Sequence, residues 1–144
     1  GVPHAYLEGQ NVEIMANSDN VLRGGLTSKH IDVAELMKHV KCEATIPQII
    51  MGDVNEEGER TYNTPVPDFT LSVFEMEKGD VASFNPTTTE IVLLTEGVVE
   101  ADDDDTTIKL QAGTPSAVVF PGATVYLAAA AKSVVFRASA AQLR

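Results

Sequence analysis

Ile91-Val92-Leu93-Leu94-Thr95-Glu96-Gly97-Val98-Val99-Glu100 is the stretch on which the fold turns. Ile91–Leu94 is an apolar run too short for an ordinary helix, and it reads as a buried strand. Glu96-Gly97 breaks the run as a turn, and Val98-Val99-Glu100 resumes an extended pattern. The same grammar repeats on both sides. Phe69, Leu71 and Val73 alternate with Thr70 and Ser72, as a half-buried strand requires. Glu77-Lys78-Gly79-Asp80 turns. Asp102–Asp105 reads as a hairpin tip, after which Ile108 and Leu110 alternate again. Gln111-Ala112-Gly113 and Pro121-Gly122 are further turns. They separate strands at Ala117–Phe120, Val125–Leu127 and Val134–Phe136. Many short strands punctuated by Gly, Pro and Asp predict a mainly β protein, a sandwich of the jelly-roll kind.

The first half of the chain is less regular. Residues 2–8 read as a strand or turn, and Val12, Ile14 and Ala16 alternate with Glu13 and Met15 as in a strand. Asp32 predicts a helix cap, because Val33, Leu36, Met37 and Val40 follow at i, i+3, i+4 and i+7 spacing. Glu35 stands three residues after Asp32, as in a capping box. This one short helix is expected to end near Lys41-Cys42. Ile46–Met51 is a short apolar run with a β pattern, residues 55–59 form a solvated loop, and Pro65-Val66-Pro67-Asp68 is a rigid extended linker.

A chain of 144 residues is one domain, or a small domain plus a piece of another. Its net charge of −11 argues against nucleic acid as a partner. No apolar run is long enough to span a bilayer, so a membrane is not an expected partner either. A single cysteine offers no disulfide framework and points to a reducing cytoplasm. The absence of an initial Met suggests a fragment or a processed product. The charge is uneven: six acids face four bases in residues 1–44, and fifteen face six in the remainder. An anionic ligand would be repelled by most of the chain and welcomed near Arg23 and Lys29.

Residues able to do chemistry crowd into the first thirty-three positions. His4, after Pro3, is either a metal ligand or a hydrogen-bonded structural histidine. Glu13, between Val12 and Ile14, either faces water or faces a cleft, where it could bind a sugar hydroxyl or help a proton move. Arg23 precedes Gly24-Gly25, which allow close backbone approach, and its guanidinium suits a phosphate or an enediolate oxygen. The alternative is a loop salt bridge with Asp19 or Asp32. Lys29 adds a second cation. Asp102–Asp105 lacks the spacing of a calcium loop and reads as solvated. His30, His39 and Cys42 lack ligand spacing and read as surface or packing residues.

Pro3-His4-Ala5-Tyr6-Leu7, then Glu13 through Arg23, then Gly25-Leu26-Thr27 with Lys29, closely resemble the signature of type I mannose-6-phosphate isomerases. The likeness runs on more loosely through Ile31-Asp32-Val33 and Glu35-Leu36, and the β region is similar to that family's C-terminal cupin-like domain in pattern. The resemblance implies a zinc-dependent aldose–ketose isomerase acting on a phosphorylated hexose, interconverting mannose 6-phosphate and fructose 6-phosphate. It implies His4 as a Zn2+ ligand, Arg23 as the catalytic arginine, and Tyr6, Glu13 and Lys29 as substrate-binding residues. Ser28 and Ala34 stand where the family usually has proline. The family's other zinc ligands come from sequence upstream of the matching segment and are not in this chain.

The resemblance thus implies the C-terminal portion of such an enzyme. Residues 1–31 would be the closing strands and loops of the catalytic cupin domain, incomplete here. Residues 32–42 would be the connecting helix, and residues 43–144 a C-terminal cupin-like jelly-roll domain. Its partners would be the upstream catalytic and helical domains of the same protein. The isolated chain is then expected to be inactive. The alternatives are a non-catalytic cupin that binds a sugar phosphate and a purely structural domain.

Overall fold

Strands need hydrogen-bonded neighbours, and among the described residues the chain supplies them from Asp53 onward. The computed structural model describes residues 2–17 and 21–140. It divides into two units, Gly1–Ile49 and Ile50–Arg144. The first unit holds the one helix among the described residues, α1 (Val33–His39). The second holds β1 (Asp53–Val54), β2 (Glu59–Tyr62), β3 (Phe69–Met76), β4 (Val81–Phe84) and β5 (Glu90–Glu96). It continues through β6 (Val99–Asp102), β7 (Thr107–Leu110), β8 (Ser116–Val119), β9 (Val125–Ala129) and β10 (Ser133–Ala140).

Helix α1 forms as its sequence predicts. The Asp32 carboxylate accepts from the Glu35 backbone N–H at 2.9 Å, satisfying one of the orphan donors of the first turn. The helix stops at His39, earlier than Lys41-Cys42, with the Val40 N–H closing on the Leu36 carbonyl. Residues 2–8, read as a strand or turn, form no strand, and the strands expected at Val12–Ala16 and at Ile46–Met51 do not form among the described residues. Alternation marks a segment that could pair. It cannot provide the partner, and an unpaired strand is not stable in water.

In the second unit the strands make two antiparallel sheets, ordered β1-β2-β3-β10-β5-β8 and β4-β9-β6-β7. From β3 onward the chain passes between sheets at nearly every connection, and only β6 and β7 are consecutive within one. The orders β3-β10-β5-β8 and β4-β9-β6-β7 are those of an eight-stranded jelly roll. β1 and β2 extend one sheet past β3. The architecture is the expected mainly β, cupin- or jelly-roll-like sandwich.

The inner faces supply one core. Phe74, Val92, Leu94 and Val135 from the larger sheet meet Phe84, Val99, Leu110 and Leu127 from the smaller. Leu110, Leu127, Val92 and Val135 are fully buried, and burying such a side chain contributes about 1.5–3 kcal/mol. Each sits on the alternate positions that its strand aims inward. Among the described residues no helix is long and apolar enough to cross a membrane.

Not every inward position is apolar: Glu59, Ser72, Glu90 and Ser133 are buried as well. Arg137 on β10 lies between its register partners Ser72 on β3 and Val92 on β5. Its Nε donates to Glu90 Oε2 at 2.5 Å, and a second guanidinium nitrogen donates to Glu90 Oε1 at 3.1 Å. A third donates to Glu59 Oε1 at 2.8 Å. Ser72 also donates to Glu59, the Thr87 backbone N–H donates to Glu90, and Phe84 lies with its ring centroid 4.3 Å from the guanidinium carbon. Burial disfavours the charge on Arg137, but the hydrogen bonds to Glu90 and the charge of Glu59 outweigh it. They hold its pKa above the usual arginine value.

Candidate functional site

The residues singled out for chemistry all lie in the first unit. His4 is exposed, with Nδ1 3.3 Å from the Val2 carbonyl oxygen. Its ring meets Tyr6 edge-on, with centroids 5.9 Å apart and planes at 76°. The two residues alternate along extended backbone, so their side chains fall on one side.

His4 lines a cleft with Val21, Leu22, Gly24, Glu35 and His39. Gly24 is small for a reason: a Cβ there would come within 3.1 Å of Leu36 Cδ2. The glycine lets the Arg23-Gly24 backbone lie against α1. Arg23 is half-buried and donates to the Val21 carbonyl at 3.4 Å. It forms no ion pair with Asp32, whose carboxylate caps the helix instead; Asp19 lies outside the described residues. Lys29 is exposed, and its backbone N–H donates to Thr27 Oγ1 at 3.2 Å. Glu13 is exposed as well. Neither Glu13 nor Lys29 lines the cleft. The fold therefore brings His4 beside Tyr6 and sets the residues flanking Arg23 in the same cleft as His4, while Glu13 and Lys29 stay apart.

Two cleft residues escaped the reading of the sequence. Glu35 accepts from Lys38 Nζ at 2.6 Å and faces His39 Nε2 at 2.9 Å. The Lys38 hydrogen bond, then that of His39, holds the Glu35 carboxyl below the usual glutamate range. The signal was present as the i, i+3 and i, i+4 spacing on a helix.

Zinc requires three or four protein ligands at a common point. Among the described residues no three His, Cys, Asp or Glu side chains converge on one. The described residues do not by themselves fit a zinc ion.

No family model matches the chain. The mannose-6-phosphate isomerase of Escherichia coli (strain K12) is 48% identical over 75 residues, 51% of this chain and 19% of that protein. The Homo sapiens mannose-6-phosphate isomerase is 37% identical over 131 residues, 85% of this chain and 30% of that protein. The chain is a homologue of the mannose-6-phosphate isomerases. Its fold agrees with this. The Salmonella typhimurium mannose 6-phosphate isomerase, solved with its substrate fructose 6-phosphate and zinc bound, superposes with a TM-score of 0.69 at 27% identity. The match covers 88% of this chain and 32% of that structure. The chain thus spans less than a third of the length of these relatives.

Proposed function

We propose that this chain is the C-terminal portion of a longer, zinc-dependent mannose-6-phosphate isomerase of the cytoplasm. Residues 1–31 are then one wall of its catalytic cupin, 32–42 a connecting helix, and 43–144 a C-terminal jelly-roll domain. The observation that carries the proposal is homology to enzymes of that name, one of them solved with fructose 6-phosphate and zinc. The motifs around His4 and Arg23 add support.

The reaction moves a proton between C1 and C2 of the sugar, through an enediol in which negative charge develops on oxygen. Arg23 carries a permanent charge on a planar donor fork and stabilises that oxygen; a preorganised charge of this kind is commonly the largest catalytic contribution. Lys29 receives the phosphate, and Tyr6 and Glu13 contact the sugar. His4 is one ligand of a zinc whose other ligands lie outside this chain. The chain alone, with one such ligand, is inactive.

The test is Arg23→Ala in the longer protein. Turnover should fall by about 10²–10³-fold, the loss typical of removing one oxyanion donor, with a much smaller change in KM. Unchanged turnover would remove Arg23 from the mechanism. Stoichiometric zinc bound below micromolar concentration by the 144-residue chain as a monomer would overturn the division of ligands.

A further inference from the structure

Two adjacent glycines follow Arg23, and they serve different ends. Gly25 has φ at 78° and open space around it, so it is there for its left-handed backbone. Gly24 lies outside that region, and a Cβ on it would come within 3.1 Å of Leu36 Cδ2. Leu36 therefore rests on the backbone at Gly24, one residue from Arg23. The apolar stripe of α1 is divided accordingly. Leu36 and Val40, one turn apart, are half-buried and line the cleft, whereas Val33 and Met37 are 63% and 65% exposed.

We propose that Leu36 is a positioning residue for Arg23. Its side chain sets where the Arg23-Gly24 backbone lies, and so where the guanidinium meets the negative charge developing on the sugar oxygen. The inference rests on the reading above, in which Arg23 stabilises that oxygen. Residues 21–32 form neither helix nor strand, so no ladder of hydrogen bonds holds the segment in place. The Arg23 guanidinium donates back to Val21, which ties the side chain to its own segment and the segment to nothing else. α1 is the regular element beside it, fixed by the Asp32 cap and by the contacts of Lys38 and His39 with Glu35. A charge stabilises a transition state only while it is held in place, and a shift of about 1 Å can cost about 10²-fold in rate. An apolar side chain supplies the stop without drawing the guanidinium into an ion pair.

Steady-state kinetics of the longer polypeptide on mannose 6-phosphate tests this. Leu36→Ala should lower kcat by about 10–10²-fold and leave KM nearly unchanged, because Arg23 acts on the transition state. Leu36→Met, which conserves volume, should recover most of the loss. Met37→Ala, on the exposed side of the same helix, should leave turnover unchanged. The deciding comparison is the double variant. Leu36→Ala combined with Arg23→Ala should be no slower than Arg23→Ala alone, since a residue acting through the arginine then has nothing to position. Losses that multiply in the double variant, or a change in KM alone, would overturn the proposal. So would Leu36→Met being as slow as Leu36→Ala. If Leu36→Ala fails to fold, Leu36→Val carries the same comparisons with a smaller loss. NMR of the 144-residue chain keeps the proposal apart from the functional reading. The Arg23 Nε–Hε and Gly24 amide signals should shift in Leu36→Ala and return with Leu36→Met. Unmoved signals would overturn the positioning whatever the activity. Shifted signals, with Arg23→Ala at full turnover, would sink the functional reading and leave the hold of Leu36 on the Arg23 segment standing.

Discussion

Arg137 and Glu90 form a two-pronged ion pair inside the jelly roll, with Nε donating to Oε2 at 2.5 Å and a second nitrogen donating to Oε1 at 3.1 Å. The Glu90 side chain is fully buried. A charge taken from water is stable only while its partners hold, so removing one partner costs more than the pair is worth. Arg137 joins β10 to β5 through Glu90 and to β2 through Glu59. It therefore fixes the extra strand β2 to the roll.

Arg137→Ala leaves Glu90 and Glu59 buried without a counter-charge. Urea unfolding should show a loss of about 3–5 kcal/mol, the usual cost of breaking a buried pair. A loss under about 1 kcal/mol, the range of exposed pairs, would mean that water reaches the cluster and that the ion pair does not organise this end of the fold.

Gly97 links β5 to β6 with φ at 91°, a left-handed conformation. A Cβ there would overlap the Lys132 carbonyl oxygen and Ser133, whose hydroxyl accepts from the Val98 N–H at 3.1 Å. Gly113 has almost the same φ of 93° but open space around it. Gly113→Ala should therefore cost only the backbone penalty, about 1 kcal/mol. Gly97→Ala should cost clearly more, because backbone must shift as well. Equal shifts in denaturation midpoint for the two variants would refute the steric account.

Leu110 on β7 is fully buried among residues of both sheets. Leu110→Ala should lower stability by about 2–5 kcal/mol, transfer and cavity together. Ile91→Ala, on the half-exposed outer face, should cost markedly less in the isolated chain. Comparable losses at the two positions would mean that the outer face is as enclosed as the core.

The sandwich was legible because its long strands write their own pattern: the run at Ile91–Leu94 became β5 and the alternation from Phe69 became β3. Turn residues at Gly79, Gly97, Gly113 and Gly122 marked the connections, and each has positive φ. The strand β2, Glu59-Arg60-Thr61-Tyr62, was not legible. Its inward residue is a glutamate whose partner, Arg137, stands 78 positions away, and no local pattern carries that information. The reverse error came at Val12–Ala16, where alternation is clear but no described strand pairs with it. His4, Tyr6 and Arg23 were legible as residue types in a motif. Glu35 and His39 were not, because their place in the cleft depends on how Gly24 lets the preceding loop meet α1.

The Glu35 carboxylate gives a direct test of that cleft edge. Its pKa is lowered first by the Lys38 hydrogen bond and then by His39. A carboxyl whose folded pKa is depressed adds stability above its unfolded pKa and loses it as pH falls through the folded value. Carboxyl-detected NMR should find Glu35 titrating below the ordinary glutamate value. Lys38→Ala should raise the midpoint towards that value, and His39→Ala should raise it less. The helical signal of α1 should weaken only at acid pH, once Glu35 protonates. A midpoint unmoved by Lys38→Ala would show that the contact does not persist in solution and that Glu35 is free to meet other groups in the cleft.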